Sequence, residues 1–176
     1  MPPMSDLIVR DARDGDRGII RDVTLSAYQQ YAAVMQMHWQ AYRHNILTTL
    51  GDVKPAEQIV AEQHGALLGT VLLYPAGTVL SAPGGRSVTR GWPEVRLLAV
   101  APAVRGQGVG AALMRECVRR ARQSGAAALT LHTHEIMVVA MRMYERMGFV
   151  RAPDLDFHPA KDVTIKGYRL NLTEGA

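Results

Sequence analysis

The 176-residue sequence predicts an α/β fold, a single mixed sheet of about six to seven strands flanked by about four helices. Short apolar runs alternate along the chain with segments whose apolar residues recur at helical spacing. No repeat or linker interrupts this pattern, and a chain of this length buries roughly two thirds of its unfolded surface as one domain. We therefore expect one domain over residues 1–176, with residues 1–5 as a flexible N-terminus.

The predicted strands are short apolar runs bounded by turn-forming residues. They cover residues 7–12, 57–63, 66–74, 94–100, 127–133 and 163–172. His64-Gly65 joins the second strand to the third, which predicts a hairpin. Residues 75–93, rich in Gly and Pro, are expected to form an irregular connection with a strand edge near 78–80. The residues between Val150 and the last strand are expected to form a loop.

Four segments have the apolar spacing of helices that pack one face on a core. They cover residues 16–34, 37–50, 108–123 and 136–147. Gly51, Gly125 and Gly148 follow three of these segments, and a glycine in the left-handed conformation commonly ends a helix.

The composition is that of a globular protein, with 48% hydrophobic and 20% charged residues. No apolar run approaches the ~20 residues that span a bilayer, and the N-terminus lacks the basic start and apolar core of an export signal. Cys117 is the single cysteine, so an internal disulfide is excluded. We expect a cytoplasmic protein with no membrane partner.

A net charge of +4 raises the question of a nucleic-acid partner. The basic residues are scattered, and their densest group shares one predicted helix with Glu116. This group is Arg115, Arg119, Arg120 and Arg122. Such a group is typical of a solvated helix face, and no reader motif or aromatic interleaving accompanies it. We expect no nucleic-acid partner.

The turn after the strand that ends at Val100 is the clearest candidate for a binding site. It reads Ala-Pro-Ala-Val-Arg-Gly-Gln-Gly-Val-Gly over residues 101–110 and leads into a helix. Glycines let the backbone approach a ligand, and the start of a helix directs unpaired N–H groups and the positive end of its dipole at the same space. This predicts an anion site suited to a pyrophosphate, with Arg105 as an added cation. The alternative is a glycine-rich turn without a ligand.

The spacing of the glycines disfavours two other phosphate loops. A Walker loop has Gly-Lys-Ser/Thr where this chain has Gly-Val-Gly, and a dinucleotide fingerprint has Gly-x-Gly-x-x-Gly where this chain has Gly-x-Gly-x-Gly. The order Arg105-x-x-Gly108-x-Gly110 resembles the coenzyme A pyrophosphate loop of the GCN5-related N-acetyltransferase (GNAT) superfamily.

A second segment is similar to the same family. It is Ala140-x-x-x-Tyr144-x-x-x-Gly148-Phe149, and it follows the first motif in the order that the family has. The resemblance covers about residues 94–150. It implies an acyl-CoA N-acyltransferase fold with a mostly antiparallel sheet, acetyl-CoA as co-substrate, no metal, and direct transfer of the acetyl group to an amine in a ternary complex.

The resemblance also implies which residues contact the cofactor. They are Leu98, Ala99, Val100, Arg105, Gly106, Gln107, Gly108, Val109, Gly110, Ala111, Met137 and Tyr144. Backbone N–H groups near residues 98–100 would polarise the thioester carbonyl.

Acetyl transfer needs a base for the amine and an acid for the leaving thiol. An alkyl ammonium has a pKa near ~10, so a base must remove its proton at neutral pH. Glu94 is the predicted base, because the family often carries a glutamate at this position; its alternative is a strand-end carboxylate in solvent. Tyr144 is the predicted acid, since a phenol and an alkyl thiol bind protons with similar strength. Its alternative is a packed aromatic on a core helix face.

The acceptor is expected to be a small-molecule or peptide amine, and a homodimer is a candidate assembly. The predicted acceptor contacts are Tyr31, Met35, Trp39, Trp92 and His132, and ordinary packing is the alternative for them. His132 and His134 lack a third spaced ligand, so no metal site is expected. The alternative function is a non-catalytic acetyl-CoA-binding sensor or interaction module.

Overall fold

The computed structural model describes residues 6–82 and 86–173, and the expectation for residues 1–5 lies outside them. The strands in this part of the chain are β1 (Ile8–Asp11), β2 (Glu57–Gln63), β3 (Ala66–Tyr74), β4 (Val79–Ala82), β5 (Arg86–Thr89), β6 (Glu94–Val100), β7 (Ala128–His134), β8 (Val150–Arg151), β9 (Phe157–Ala160) and β10 (Val163–Asn171). The α-helices are α1 (Arg17–Tyr28), α2 (Ala32–Met35), α3 (Trp39–Gly51), α4 (Val109–Gln123) and α5 (Val138–Arg146).

The hydrogen-bonded strand order is β1-β2-β3-β6-β7-β10-β8, with β9 also paired to β10. Strand β6 runs parallel to β7. The pairs β1–β2, β2–β3, β7–β10, β8–β10 and β9–β10 are antiparallel. The predicted mixed, mostly antiparallel α/β class is confirmed, and the described ranges contribute eight strands to the sheet rather than about six to seven.

The chain forms two compact units, Met1–Leu73 with Leu97–Glu116, and Tyr74–Arg96 with Cys117–Ala176. The first unit holds the predicted hairpin, which is confirmed: His64 and Gly65 have φ of 50° and 79°, as a two-residue turn with both central residues left-handed requires. Its core contains Ile20, Ile46, Ile59, Val71 and Leu113. Burying each of these side chains contributes about 1.5–3 kcal/mol.

The prediction of one continuous helix over residues 16–34 is wrong. Helix α1 ends at Tyr28, and 3-10 turns precede and follow α2. The carbonyl of Ala27, which would continue the ladder, accepts instead from the side chains of Arg105 and Gln30, each at 2.9 Å. Gln36, with φ of 46°, follows the end of α2. Apolar spacing alone shows none of these side-chain donors.

In the second unit the core contains Cys117, Leu129, Leu131, Phe149 and Tyr168. Gly125 and Gly148 end α4 and α5 with φ of 75° and 91°, as expected. None of the helices in the described ranges is long and apolar enough to cross a membrane.

Two segments of the second unit correct the prediction of loops. The strand edge expected near residues 78–80 is β4, which pairs antiparallel with β5, a strand that was not predicted; residues 83–85 lie outside the described part. Backbone bonds between Gly77 and Arg90 (2.7 Å) and between Arg90 and Thr78 (3.0 Å) extend the β4–β5 ladder. The expected loop after Val150 contains β9, which pairs only at the edge of the sheet, where its Pro159 needs no ladder hydrogen bond.

Candidate active site

The glycine turn of the first unit connects β6 to α4. A 3-10 turn covers Pro102–Val104, and Gly106 and Gly108 follow with φ of 75° and 88°. A Cβ at either glycine would meet no atom within 4 Å, so the backbone conformation, rather than lack of space, selects glycine here. A residue with a side chain costs roughly 1–2 kcal/mol in this conformation.

The amides that follow Gly108 form the start of α4. The N–H of Ala112 donates to the carbonyl of Gly108 at 3.0 Å. The N–H groups of Val109, Gly110 and Ala111 come earlier, and the first turn of an α-helix contains no carbonyl to receive them. These donors and the positive end of the helix dipole suit a phosphate group.

Arg105, the predicted cation, is exposed and bends back to the end of α1. Its Nη2 donates to Ala27 O at 2.9 Å, and its Nη1 lies 3.4 Å from Gln30 Oε1. Its charge also reaches Tyr31, where burial raises the pKa of the phenol and Arg105 opposes that rise. A phosphate role for this guanidinium stays a prediction.

Gly69 on β3 is required by the packing beneath the glycine turn. An added Cβ would lie 2.9 Å from Ala99 O and 3.0 Å from side-chain atoms of Val109 and Leu113. Both of these side chains are buried. Because β3 approaches so closely at Gly69, it holds β6 and the first turn of α4 in place. No pattern in the sequence indicates this approach.

The strand before the turn has an unusual backbone at Leu97, whose φ is 50° inside β6. A non-glycine residue in this region is rare. The next carbonyl, that of Leu98, accepts from the Tyr28 hydroxyl at 3.1 Å. Ala99 is buried, and Leu98 and Val100 are partly buried.

The predicted acceptor residues of the first unit belong to an aromatic cluster on its helices. Tyr28 contacts Tyr31 and Tyr42 edgewise or tilted at 6.1 and 5.9 Å between ring centres, and Trp39 stacks on Tyr42 at 6.4 Å. Trp39 and Met35 are buried, whereas Tyr31 is partly exposed. Met35 and Trp39 expose little surface to an acceptor. Their role as acceptor contacts stays a prediction.

Glu94, the predicted base, is buried in the second unit and is not a solvent-facing carboxylate. Its side chain is 3% exposed; Oε2 lies 2.8 Å from Arg90 Nε and Oε1 lies 3.3 Å from His132 Nδ1. These are ion-pair distances, but neither contact has the alignment of a hydrogen bond. We call Arg90, Glu94 and His132 the Glu94 cluster.

His132 was a predicted acceptor contact, and the structure gives it other neighbours. Its side chain is 8% exposed, its Nε2 lies 2.9 Å from Leu155 O, and its ring packs on Phe157 with centres 5.4 Å apart. Both ring nitrogens therefore face protein atoms. Contact with an acceptor stays a prediction.

The turn that carries Leu155 is fixed on β10. Asp156 pairs with Arg151 at 2.7 Å and accepts the N–H of Gly167 at 2.8 Å. The hydrogen bond from Arg151 is the main reason that the pKa of Asp156 lies below its usual range. A Cβ on Gly167 would overlap Leu155 Cβ and lie 2.9 Å from Ala152 O, so only glycine admits this turn.

Tyr144, the predicted acid, is buried on α5. Its ring contacts Phe149 and Tyr168 at 6.0 and 6.3 Å between centres. Burial raises the pKa of the Tyr168 phenol, which donates to Glu145 Oε1 at 3.1 Å. Tyr144 is therefore packed as an aromatic on a core helix face, which was the alternative to its role as the acid. The acid role stays a prediction.

The other predicted residues of the second unit are Trp92 and Met137. The Arg169 guanidinium lies 4.7 Å above the Trp92 ring and pairs with Asp154 at 2.7 Å. Met137 is buried just before α5. Within residues 6–82 and 86–173, no three His, Cys, Asp or Glu side chains are grouped so as to hold a metal ion.

Sequence inspection missed Arg90, Leu155 and Gly167. Arg90 stands four residues before Glu94, a spacing that was hidden because residues 75–93 were expected to be irregular. Leu155 acts through its carbonyl, which no sequence pattern marks.

Comparison with known proteins identifies the family. The profile of the acetyltransferase (GNAT) family matches residues 23–149, which is more than half of the chain. The chain belongs to the GNAT family. This match includes both the glycine turn and the Tyr144 segment, and it confirms the resemblance.

One relative and two solved structures illustrate this membership. A mycothiol acetyltransferase of Parafrankia sp. (strain EAN1pec) is 31% identical over 90% of this chain and 57% of that protein, so the chain spans little more than half of its length. A GNAT family acetyltransferase of Brucella melitensis in complex with acetyl-CoA is 25% identical, with a TM-score of 0.60 over 97% of this chain and 90% of that one. The structure of a histone acetyltransferase HPA2 and related acetyltransferase from Corynebacterium glutamicum ATCC 13032 is 19% identical over 97% of this chain and 99% of that one, and its TM-score of 0.70 supports the fold alone.

Proposed function

We propose that this GNAT chain is an acetyl-CoA-dependent N-acetyltransferase that moves the acetyl group directly to an amine in a ternary complex. The observation that carries the proposal is the pair of left-handed glycines directly before the first turn of α4, where helix N–H groups have no carbonyl partner within the helix. This backbone suits the pyrophosphate of acetyl-CoA, the ligand held by the Brucella melitensis relative. Acetyl-CoA would supply an activated thioester, and residues 98–100 and 105–111, with Met137 and Tyr144, would contact it.

The chemistry assigned to this chain's side chains is proton transfer. Glu94 would take the proton of the amine, directly or through water, and Tyr144 would protonate the leaving sulfur. The burial of Glu94 supports a carboxylate held in one orientation, since Arg90 and His132 face its two oxygens. Both oxygens are engaged by these ion-pair contacts, so the cluster must release Glu94 before it acts.

The acceptor is proposed to be a small-molecule or peptide amine, with Tyr31, Met35, Trp39, Trp92 and His132 as its candidate contacts. The name of the Parafrankia relative supports a small-molecule acceptor. One domain over residues 1–176, a cytoplasmic location and a homodimer are parts of the same proposal.

The pyrophosphate site is tested by calorimetry with coenzyme A and with pantetheine, which lacks the pyrophosphate. Gly108→Ala should weaken binding of coenzyme A about tenfold and leave pantetheine unchanged, because the added methyl strains the turn by roughly 1–2 kcal/mol. Gly125→Ala is the matched control, since Gly125 has φ of 75° at the other end of α4. Equal effects of the two substitutions on coenzyme A would contradict a site at the turn.

Turnover is tested by thiol release from acetyl-CoA with a panel of amines. Tyr144→Phe should lower kcat by about tenfold or more while the affinity for coenzyme A stays the same. Tyr168→Phe, which loses only the bond to Glu145, is its control. Binding of acetyl-CoA without thiol release for any amine would favour the sensor or interaction module instead.

A further inference from the structure

The Glu94 cluster contains a contact that requires a proton. A carbonyl oxygen only accepts hydrogen bonds, so the contact of His132 Nε2 with Leu155 O at 2.9 Å places a hydrogen on Nε2. In a neutral imidazole the other nitrogen, Nδ1, is then an acceptor. It faces Glu94 Oε1 at 3.3 Å, and an ionised carboxylate is also only an acceptor.

Two acceptors at this distance repel each other unless a proton lies between them. The proton is either on Nδ1, which makes an imidazolium and a carboxylate, or on Oε1, which makes a neutral imidazole and a carboxylic acid. Within residues 6–82 and 86–173 Nδ1 has no aligned hydrogen-bond partner, its contact with Glu94 Oε1 is at ion-pair distance, and both side chains are more than nine-tenths buried. Either arrangement holds one proton more than a neutral histidine beside a carboxylate.

We propose that His132 is a positioning residue for Glu94, and that the two side chains share one proton that must leave before Glu94 can accept a proton from the amine. The shared proton goes to solvent, and the vacated carboxylate then takes the proton of the ammonium. This inference rests on the proposed function, because it assigns Glu94 the role of base.

The charges around the pair are few and identifiable. Arg90 faces the second oxygen of Glu94, with its Nε 2.8 Å from Oε2. Two ion pairs lie on the segments that pack beside His132, namely Arg151 with Asp156 and Arg169 with Asp154. Each of these is neutral as a pair, and the Phe157 ring covers the imidazole without adding charge.

The orientation of His132 depends on the fixed turn at Leu155. Gly167 admits the turn, and Asp156 anchors it through Arg151 and the Gly167 amide. The Leu155 carbonyl therefore selects the Nε2–H form of His132, and this selection does not depend on Glu94.

The first test reads the proton directly and needs no turnover. Nitrogen NMR of histidine-labelled protein should find His132 protonated at Nε2 at every pH, with Nδ1 losing its proton in one step. In Glu94→Gln the midpoint of that step should move to lower pH by one unit or more, since no carboxylate then stabilises the imidazolium. An Nδ1–H form, or a midpoint unchanged by Glu94→Gln, would overturn the proposal.

The second test is the pH profile of kcat with one amine for all variants, so that the titration of the amine is common to them. In His132→Asn the acid limb should move to lower pH by about one to two units, because an amide can donate to Glu94 but cannot exchange a proton at these pH values. The plateau of kcat above the acid limb should be lower in His132→Ala than in His132→Asn, because alanine offers Glu94 no hydrogen-bond donor. His158→Asn, at an exposed histidine whose Nδ1 lies 3.3 Å from Thr164 Oγ1, is the matched control and should keep the wild-type limb.

The outcomes separate this inference from the proposed function. If no amine supports turnover, the proposed function fails, and the NMR titration still decides whether the proton is shared. If turnover occurs and His132→Asn loses stability with an unmoved acid limb, His132 has only a packing role and the inference is wrong.

Discussion

The glycine turn offers a ligand the backbone amides of consecutive residues, whereas the Glu94 cluster brings residues 90 and 94 together with His132 from a distant strand of the second unit. The turn needs only glycine at positions with positive φ and a helix that starts at Val109. The cluster needs Arg90, Glu94 and His132, and a carbonyl at residue 155 that orients the histidine. A backbone site depends on local conformation, and a side-chain site depends on distant packing, so substitutions should affect the two in different measurements.

Glu94→Gln should have the largest effect and should act on turnover alone. A general base contributes about 10²–10⁴-fold, so we expect kcat to fall at least 100-fold with unchanged affinity for coenzyme A. Glu62→Gln is the matched control, because Glu62 is also ion-paired, to Arg10 at 2.5 Å, but lies on β2 in the first unit. Turnover at the wild-type rate across the pH range would remove Glu94 from the mechanism.

Gly167→Ala should affect the cluster through the backbone beneath it. The new methyl overlaps Leu155 and crowds Ala152 O, and overpacking of this kind costs about 1–3 kcal/mol. Urea unfolding should show that loss, and kcat should fall because the Leu155 carbonyl moves away from His132. Gly91→Ala is the control, since a Cβ there meets nothing within 4 Å and its φ is not positive. If Gly167→Ala lost stability and kept kcat, the turn would not position His132.

Gly69→Ala should have the corresponding effect on the glycine turn, and a smaller one. Its methyl would lie at 2.9–3.0 Å from Ala99, Val109 and Leu113, so side chains that shift by a few tenths of an ångström relieve part of the crowding. We expect a loss of about 1–2 kcal/mol in urea unfolding and weaker binding of coenzyme A. The acid limb of kcat should stay in place, in contrast to the His132 variants. A change in the acid limb without a change in coenzyme A affinity would contradict the separation of the two regions.

The same difference explains what could be predicted from the sequence. The bounds of β2, β3 and β6 and the glycine ends of α4 and α5 follow from patterns within a few residues. The glycine turn is equally local, since three glycines, an arginine and the following helix are adjacent in the chain. Local chemistry of this kind is recognisable without a structure.

The parts that could not be predicted depend on contacts across many residues. Arg90 was hidden in the β4–β5 hairpin, and the burial of Glu94 depends on Arg90 and on β7. The positive φ of Leu97 and the end of α1 also have no local signal, because the latter depends on donors from Arg105 and Gln30. The identity of Glu94 could be predicted from its position before the turn, but its partners could not.

The smallest effects should come from two ion-paired aspartates, one in each unit. Arg10 holds the pKa of Asp16 below its usual value mainly by a hydrogen bond, as Arg151 does for Asp156. Because each folded pKa lies below the unfolded value, this stabilisation is complete above about pH 4–5 and is lost as pH falls through the lowered value. Asp16→Asn and Asp156→Asn should each cost about 1 kcal/mol or less at pH 7, and the difference from wild type should shrink toward pH 2.

Turnover then separates these two substitutions, although their effects on stability are alike. Asp156 anchors the turn that orients His132, so Asp156→Asn should shift the acid limb of kcat, while Asp16→Asn, at the start of α1, should not. Urea unfolding at several pH values and kcat profiles of both variants measure the two quantities independently. Equal kcat profiles would mean that Leu155 keeps its place without the Arg151–Asp156 pair, and that the close fit at Gly167 alone fixes the histidine.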